Sequence, residues 1–309
     1  MTATEQIAGV ELGGTKAVAV LARGDVILAR VRIATTSPAD TLGALRETLG
    51  AWRACEGFAA LGIASFGPLR LAPRAADHGV MLATPKKGWS GADIVGTLTQ
   101  GLDCPSLIDT DVNAAARAEW RWGAGKGLES LCYMTIGTGL GGGILIDGRP
   151  IHGALHPEVG HIRLRRAPGD DFAGVCPFHD DCVEGLVAGP ALRARFGRPG
   201  EDISPDDPRW SFVAHDLAAL IAALLLAISP QKILIGGGIA LGRPHLLDLV
   251  RAEVAANIAG YLPHISSATV EELIALPALG ENAGPLGAIA LGEAALRGGF
   301  ESFRPEDHQ

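Results

Sequence analysis

The chain has 309 residues, 48% hydrophobic and 19% charged, so it can bury the core of one large domain or of two ordinary ones. Its formal net charge of -8 argues against nucleic acid as the main partner, because binding a phosphate backbone requires a basic face. The apolar run 217–228 is too short to span a membrane, and no basic segment followed by an apolar one opens the chain. The sequence therefore predicts neither a membrane protein nor a signal peptide.

The first half of the chain alternates short apolar strands with helices. Strands are predicted at residues 7–10, 17–22, 26–33, 60–64 and 106–108, and helices at residues 40–55, 92–100 and 114–122. The glycine-rich segment 11–16 joins the first two strands, which makes it a hairpin loop and not the strand-to-helix loop of a P-loop. Glycine allows its backbone N–H groups to point at a phosphate, but an ordinary hairpin turn fits the pattern equally well.

The second half repeats this pattern. Strands are predicted at residues 131–136, 144–147 and 232–235, and helices at residues 190–196, 211–228, 246–258 and 286–296. A second glycine-rich loop, residues 137–143, joins two of these strands in the same style as the first. The repetition suggests an internal duplication with two similar domains facing each other. The alternation of strands and helices implies an α/β fold.

A candidate metal site lies in the segment 156–184. Cys176, His179 and Cys182 are each separated by two residues, and His161 lies upstream across a loop. Two thiolates and two imidazoles are a suitable ligand set for a closed, tetrahedral zinc site. The polar, glycine- and proline-rich surroundings could not pack a core alone, so a metal would stabilise this loop. The alternative is a pair of structural cysteines with two surface histidines.

The remaining cysteines carry a different prediction. The chain has five cysteines in all, an odd and scattered set that favours a reducing cytoplasm over a disulfide framework. Cys55, Cys104 and Cys132 have no partner at a useful spacing. They are predicted to be small buried side chains rather than nucleophiles.

Four features are specific when taken together: the metal segment, Glu158-Val-Gly-His161, the loop 84–89 (Thr-Pro-Lys-Lys-Gly-Trp), and Glu11 at the start of the first glycine loop. With the other motifs in order, they resemble the ROK family (repressors, open reading frames and sugar kinases), and within it the bacterial fructokinases, over about residues 7–296. The resemblance implies an actin-like ATPase (ribonuclease H-like) α/β fold with two similar domains, an interdomain cleft holding the active site, and a zinc-stapled loop. The first domain would comprise residues 1–112 and 286–309, and the second residues 113–285.

The resemblance implies phosphoryl transfer from ATP, for which Asp111 would be the general base. Asp111 follows the strand 106–108, so its alternative role is to cap the next helix. Glu11 would help to place Mg²⁺, in part through water. The ATP-binding residues implied are Gly13, Gly14, Thr15, Lys16, Gly137, Thr138 and Gly139 for the triphosphate, and Gly236, Gly237 and Gly238 for the adenosine side. Lys16 could equally be solvated, and the last three glycines could form a simple strand-to-helix turn.

The same resemblance implies a set of sugar-binding residues. The set comprises Gly67, Lys86, Thr110, Asn113, Glu158, His161 and Glu184. His161 would serve two ligands, because one ring nitrogen can bind zinc while the other faces the sugar. Lys86 could instead be a solvated loop charge. Relatives of the glucokinase type often carry asparagine in place of Thr110, which weakens a glucose interpretation. Many relatives use three cysteines in the zinc loop, where His179 here replaces one.

The resemblance therefore implies a homodimeric kinase that transfers the γ-phosphate of ATP to the 6-hydroxyl of fructose, with Mg²⁺ and a structural Zn²⁺, and the cysteine pattern predicts a cytoplasmic protein. A glucokinase, mannokinase or broad hexokinase is the alternative within the same class. A sugar-sensing repressor would need a DNA-binding segment before the first strand, which begins at Ile7. A catalytically silent, metal-stapled sugar-binding module is a third hypothesis, against which the paired glycine loops argue.

Overall fold

The protein is described by a computed structural model over residues 5–300, with the side chain of Glu201 excepted. Its first sheet contains β1 (Gln6–Leu12), β2 (Lys16–Arg23), β3 (Val26–Ala34), β4 (Ala60–Ser65) and β5 (Ser106–Thr110). The strand order is β3-β2-β1-β4-β5. Strands β1, β4 and β5 are parallel, while β2 runs antiparallel to both β1 and β3.

The second sheet contains β6 (Ser130–Ile136), β7 (Leu140–Ile146), β8 (Arg149–Pro150), β9 (Lys232–Gly236) and β10 (Ile274–Ala275). Its order is β10-β9-β6-β7-β8, with β6, β9 and β10 parallel and β8 antiparallel to β7. Read from the opposite edge, this is the order of the first sheet, with β6 in the place of β1. The predicted α/β fold with a duplicated strand–glycine–strand unit is confirmed.

The helices are α1 (Pro38–Cys55), α2 (Ile94–Thr99), α3 (Asp111–Trp122), α4 (Val183–Val187), α5 (Gly189–Phe196), α6 (Trp210–Ala227), α7 (Gly237–Gly242), α8 (Pro244–Ile258), α9 (Val270–Leu273) and α10 (Ala283–Leu296). Single 3-10 turns occur at Val159–His161, Gly200–Asp202 and Gly280–Asn282. Of these elements, α4, α7, α9, β8 and β10 were not predicted; each has only two to six residues, too few for a periodic pattern.

The chain forms two compact units. One comprises the residues up to Glu129, residues 143–157 and the residues from Glu281 onward, and the other comprises residues 130–142 and 158–280. The predicted domain boundaries and the predicted interdomain cleft stay predictions. Residues 301–309, which were predicted to belong to the first domain, lie outside the described residues.

The core of the first unit lies on both faces of its sheet, because strands β1, β2 and β4 are almost wholly buried. Leu42, Leu45 and Leu49 of α1 pack in one hydrophobic cluster with side chains of these strands. Helix α10 packs closely on β1 and β4. A Cβ at Gly62 would lie 1.8 Å from the carbonyl oxygen of Ala288, so glycine is required where helix and strand meet.

The second unit is centred on α6, which packs against α8. Among the described residues, α6 is the one helix long and apolar enough to cross a membrane by length and composition. It extends the run 217–228 that had been judged too short, and 61% of it is buried inside the protein. Burial of this kind is expected of a core helix, so the length of α6 is weak evidence for a membrane span.

Three predictions about local structure were wrong. Strand β7 begins at Leu140, not at residue 144, and therefore includes three glycines that were assigned to the loop. Helix α10 begins at Ala283, three residues before the predicted start. Cys55 is exposed at the end of α1, whereas Cys104 is partly buried and Cys132 is buried as expected. The last turn of α1 faces solvent, which explains the exposure of Cys55.

Candidate functional site

Asp111 is the first residue of α3 and follows β5 directly. Thr110 is the N-cap of that helix, and its Oγ1 accepts the N–H of Asn113 at 3.2 Å. The Asp111 Oδ1 accepts the N–H of its neighbour Val112 at 2.9 Å. Thus the cap that α3 needs comes from the threonine, and the half-buried Asp111 carboxylate is not required for capping.

The environment of Asp111 favours a carboxyl that can exchange a proton near neutral pH. Burial raises the pKa of Asp111 from 3.8 to about 6, although backbone hydrogen bonds from Val112 and from its own residue oppose the shift. Above that pH the carboxylate is ionised and can accept a proton. A pKa close to the working pH is the property expected of a general base.

Glu11 lies near the end of β1, close enough to Asp111 for the two carboxyls to interact. Burial, and then the charge of Asp111, raise the pKa of Glu11 to about 7, and nearby Lys16 opposes the shift. A Cβ at Gly284 would lie 2.1 Å from the Glu11 Oε1, so glycine in the first turn of α10 leaves room for this carboxylate. Two neighbouring carboxyls with raised pKa values would both be stabilised in their ionised forms by a cation.

The first glycine loop is a tight hairpin between β1 and β2. The N–H of Gly13 donates to the carbonyl of Lys16 at 3.0 Å, while Gly14, Thr15 and Lys16 are exposed. Lys86 lies beside this hairpin, because its Nζ donates to the carbonyl of Gly14 at 2.5 Å. The structure therefore gives Lys86 a partner in the predicted phosphate loop. Its predicted role as a sugar contact stays a prediction.

The loop that carries Lys86 is held by a buried tryptophan. Trp89 is 0% exposed, and its Nε1 donates to the carbonyl of Thr36 at 2.9 Å. Its ring also makes an edge-on contact with Phe66, with the ring centroids 5.1 Å apart. Phe66 directly precedes Gly67, one of the predicted sugar-binding residues. Trp89 thus fixes the position of the lysine and supports the chain next to Gly67.

Sequence reasoning missed a cluster of polar side chains behind Asp111. Asp109 is 0% exposed, and its Oδ1 accepts the N–H of Thr110 at 2.7 Å and the Nδ2 of Asn113 at 2.8 Å. The Nε2 of His152 lies 3.1 Å from both carboxylate oxygens. Because a carboxylate can only accept, His152 Nε2 is the donor. Asp109 therefore ties the turn that carries Asp111 to a segment 43 residues away.

The same cluster supplies the hydrogen-bond partner of the buried Asn113 side chain. It is 1% exposed, and its Nδ2 is bound to Asp109. The Nδ2 also lies 3.4 Å from the His152 Nε2, but two donors cannot share a hydrogen bond. Asn113 thus orders the turn around Asp111, and its predicted sugar contact stays a prediction.

The second glycine loop lies between β6 and β7. The N–H of Gly137 donates to the carbonyl of Gly139 at 2.9 Å, and the N–H of Gly189 donates to the carbonyl of Gly137 at 2.7 Å. Glu184, a predicted sugar contact, has its Oε2 on the N–H of Leu140 at 2.9 Å. One carboxylate oxygen of Glu184 therefore supports the end of this loop.

A pocket of about 810 Å³ opens beside the second glycine loop. Its volume falls within the range of small-molecule sites, about 300–1,000 Å³. The lining includes Gly137, Thr138, Arg193, Gly238, Ile239 and Arg243. Gly236, Gly237 and Gly238 form the turn from β9 into α7, so this strand-to-helix turn also lines the pocket. Gly237 has φ +86°, and a Cβ there would lie 2.4 Å from the carbonyl oxygen of Ile136.

His161, Cys176, His179 and Cys182 converge as predicted, with one ligand atom of each within 4.8 Å of the others. The Nδ1 of His161 lies 3.7 Å from Cys176 Sγ and 3.5 Å from Cys182 Sγ, and the Nδ1 of His179 lies 3.8 Å from Cys176 Sγ. A tetrahedral zinc ion would hold sulfur and nitrogen about 3.5 Å apart, from bond lengths of about 2.3 and 2.0 Å. The donor set and its spacing therefore fit zinc.

The remaining sugar candidates lie on loops. Gly67 follows β4, and Glu158 is exposed immediately before the 3-10 turn that contains His161. His161 directs Nδ1 at the two sulfurs, which leaves Nε2 as the ring nitrogen available to another ligand. Glu158, His161 and Glu184 belong to one compact unit, and Gly67, Lys86, Thr110 and Asn113 to the other.

Comparison with known proteins decides the family. A model described as the ROK family matches residues 7–295. The chain belongs to the ROK family. It is 42% identical over 294 residues to a fructokinase of Zymomonas mobilis subsp. mobilis, covering 93% of this chain and 96% of that protein. It is 37% identical over 294 residues to a fructokinase of Pediococcus pentosaceus, covering 94% and 99%.

Solved structures of the ROK family share the fold. The ROK hexokinase from Thermus thermophilus aligns with a TM-score of 0.76 at 27% identity, over 95% of this chain and 100% of that one. A ROK family glucokinase from Streptomyces griseus, solved with glucose and AMPPNP, aligns with a TM-score of 0.75 at 25% identity, over 93% and 99%. The resemblance drawn from the sequence motifs is confirmed.

Proposed function

We propose that this ROK protein is an ATP-dependent kinase that transfers the γ-phosphate of ATP to the 6-hydroxyl of fructose. The observation that carries the proposal is the carboxyl of Asp111 at the start of α3, whose pKa is raised to about 6. Thr110 caps the helix, so this carboxyl is not needed as a cap. The names of the relatives at 42% and 37% identity favour fructose as the acceptor. An aldohexose such as glucose is the alternative acceptor, because the similar Streptomyces griseus structure is named a glucokinase.

Asp111 acts as the general base in this proposal. Its carboxylate takes the proton from the sugar hydroxyl as the oxygen attacks the γ-phosphorus, and ADP leaves. Phosphoryl transfer needs little covalent chemistry from the protein beyond positioning and charge stabilisation. A base of pKa about 6 is mostly ionised at neutral pH, so no prior proton transfer is needed before the attack.

Glu11 and Asp111 fit a magnesium requirement. Mg²⁺ prefers oxygen ligands and keeps several waters, and two carboxyls with raised pKa values are stabilised by a nearby cation. When bound, the ion neutralises charge on the phosphates. Glu11 would hold it, in part through water, beside the hairpin of Gly13, Gly14 and Thr15.

The nucleotide would bind the pocket beside Gly137, Thr138 and Gly238. Backbone N–H groups of a glycine loop bind phosphate without adding net positive charge, which suits a chain of net charge -8. Arg193 and Arg243, which also line the pocket, supply the local positive charge that an anionic ligand requires.

The zinc ligand set has a structural role in the proposal. Four protein ligands leave no open position on a tetrahedral ion, so zinc would order the loop and not activate water. With Nδ1 of His161 on the metal, its Nε2 faces the sugar together with Glu158. Paired carboxylates and an imidazole bind adjacent hydroxyl groups, which is the pattern that a hexose presents.

The proposal includes a cytoplasmic homodimer that acts on a small sugar, with no nucleic acid or membrane partner. A coupled ADP-release assay with Mg²⁺ and zinc-loaded protein tests it across fructose, glucose, mannose and N-acetylmannosamine. We expect fructose to have the highest kcat/KM. A preference for glucose or mannose would replace the fructose assignment, and absence of ADP release with every sugar would overturn the kinase assignment.

A further inference from the structure

His156 is a buried histidine that the proposed chemistry does not use. It is 6% exposed and lies in the segment 152–157, two residues before Glu158. Its Nε2 accepts the backbone N–H of Leu69 at 3.0 Å, across 87 residues of sequence. The imidazole can accept this bond only while Nε2 carries no proton.

The bond partner belongs to the loop that follows β4 and contains Gly67. Leu69 is 0% exposed, so its N–H has no access to water and depends on a protein acceptor. The loop is bound on its other side as well, because the carbonyl of Pro68 accepts the N–H of Leu82 at 2.8 Å. His156 therefore supplies one of the bonds that fix the backbone just after Gly67.

Burial favours the neutral form of His156. Burial lowers its pKa below the usual histidine value, and the neighbouring His152 lowers it further. Asp109 and a hydrogen bond to the Pro157 carbonyl act in the opposite direction without reversing the shift. A proline backbone offers only an acceptor, so the ring nitrogen bound there is the protonated Nδ1. This tautomer leaves Nε2 free to accept from Leu69.

We propose that His156 is a positioning residue for the acceptor sugar: its neutral imidazole holds the Gly67–Leu69 backbone in the shape that binds sugar. The inference rests on the proposed sugar kinase function and on the prediction that Gly67 lines the sugar pocket. It gives a role to a residue that does not contact the sugar, since His156 acts through the N–H of Leu69. Protonation of Nε2 removes the acceptor and releases the loop.

The test compares His156→Gln with His156→Asn. A glutamine Oε1 reaches the position of the imidazole Nε2, whereas the shorter asparagine amide reaches only that of Nδ1. We expect His156→Gln to keep the fructose KM within about threefold of the wild-type value. We expect His156→Asn to raise it about tenfold, which corresponds to about 1.4 kcal/mol, with the KM for ATP unchanged. His264→Asn, at an exposed position, is the matched control.

Equal fructose KM values for the two variants, or parallel changes in the KM for fructose and for ATP, would overturn the inference. A purely structural role would lower the yield of folded protein without separating the two KM values. If His156→Asn does not fold, calorimetry of fructose binding at several pH values, with the wild type and with His156→Gln, tests the inference instead. Binding to the wild type must weaken on acidification more than binding to His156→Gln, because Asp111 and Glu11 titrate in both proteins; identical profiles would contradict the proposal.

Failure of the proposed function is distinguishable from failure of this inference. If the wild type phosphorylates no sugar, the kinase assignment fails. Hydrogen exchange of the Leu69 amide then still tests the bond, since exchange must be faster in His156→Asn than in His156→Gln. If the wild type phosphorylates fructose and the two variants behave alike, only the role of His156 is lost.

Discussion

Thr110 caps helix α3 by accepting the N–H of Asn113 at 3.2 Å, and this bond leaves the adjacent Asp111 carboxylate without a capping role. An aspartate in the first turn, next to a threonine N-cap, is positioned by the helix but is not needed to cap its N-terminus. The separation of the two roles means that the chemistry of Asp111 can be removed without loss of the helix.

Asp111→Asn tests the base. Asparagine keeps the size and polarity of the side chain but cannot accept the hydroxyl proton, so we expect kcat to fall by about 10²–10⁴-fold with fructose binding retained. Steady-state kinetics and calorimetry measure the two effects. Asp93→Asn is the matched control, because Asp93 caps α2 and asparagine is also a good cap. Near-normal turnover of Asp111→Asn would exclude the assigned role.

The pKa of Asp111 predicts the acid limb of the rate profile. Since burial raises that pKa to about 6 in the protein without substrate, kcat/KM for fructose must fall about tenfold per pH unit below pH 6. Glu11, with a pKa raised to about 7, interacts with Asp111, so the apparent values belong to the pair. Initial rates between pH 5 and 9 at fructose concentrations well below KM measure the profile. A kcat/KM that is independent of pH down to pH 5 would contradict the prediction.

The same shift predicts a gain in stability when Asp111 is replaced. The folded state holds a proton on Asp111 between pH 3.8 and about 6 that the unfolded state releases, so the free energy of unfolding falls as pH rises through this range. Asp111→Asn removes this dependence. We expect its Tm to exceed that of the wild type by a few degrees at pH 7–8 and by less near pH 4. Thermal unfolding at the two pH values checks the sign.

Substitution of Thr110 separates its cap from its predicted sugar contact. Thr110→Ala loses the bond to Asn113 and should lower the free energy of unfolding by about 1 kcal/mol, whereas Thr110→Ser keeps the hydroxyl and most of the stability. Chemical denaturation measures both. If Thr110 also binds sugar, Thr110→Ala must raise the fructose KM beyond that of Thr110→Ser. Equal stability of the alanine and serine variants would show that the cap contributes nothing.

The zinc assignment predicts a loss of metal on Cys182→Ser. Cys182 Sγ lies 3.5 Å from His161 Nδ1, so serine removes a ligand and the variant should bind far less than one zinc per chain. We expect a lower Tm and a higher fructose KM, because the ordered loop carries His161. Elemental analysis measures the zinc. Cys55→Ser, at an exposed cysteine outside the cluster, should retain the metal.

Lys86→Met distinguishes two roles of this lysine. Its Nζ donates to the carbonyl of Gly14 at 2.5 Å, so its loss should loosen the first glycine loop and raise the KM for ATP about fivefold. Lys87→Met, at the exposed neighbouring position, should leave it unchanged. A rise confined to the fructose KM would instead support the sugar contact predicted from the sequence.

The sequence predicted the elements whose pattern is local and the ligand set whose spacing is short. Strand β7 was misjudged because glycine is a poor strand former. The structure nevertheless requires glycine at position 143 of this strand, because a Cβ there would lie 2.3 Å from the carbonyl oxygen of Val112. The start of α10 was misjudged because Gly284 and Pro285 were placed in the segment before the helix. Proline fits within the first turn, where N–H groups lack helical partners.

The contacts behind Asp111 could not be predicted from one sequence. His152 and His156 bind partners 43 and 87 residues away, and no periodicity or motif connects them. The position of Asp109 could have pointed to the cluster, since it lies in the buried end of β5, two residues before Asp111. A buried aspartate there requires donors, but only the fold shows that they come from Thr110, Asn113 and His152.

The most direct measurement is the identity of the product formed from fructose and MgATP, by ³¹P NMR and mass spectrometry, with the zinc-loaded wild type and with Asp111→Asn. We predict one fructose 6-phosphate per ADP with the wild type and almost none with the variant over the same time. Release of ADP without a phosphorylated sugar, phosphate on another hydroxyl, or equal yields from the two proteins would contradict the proposed function.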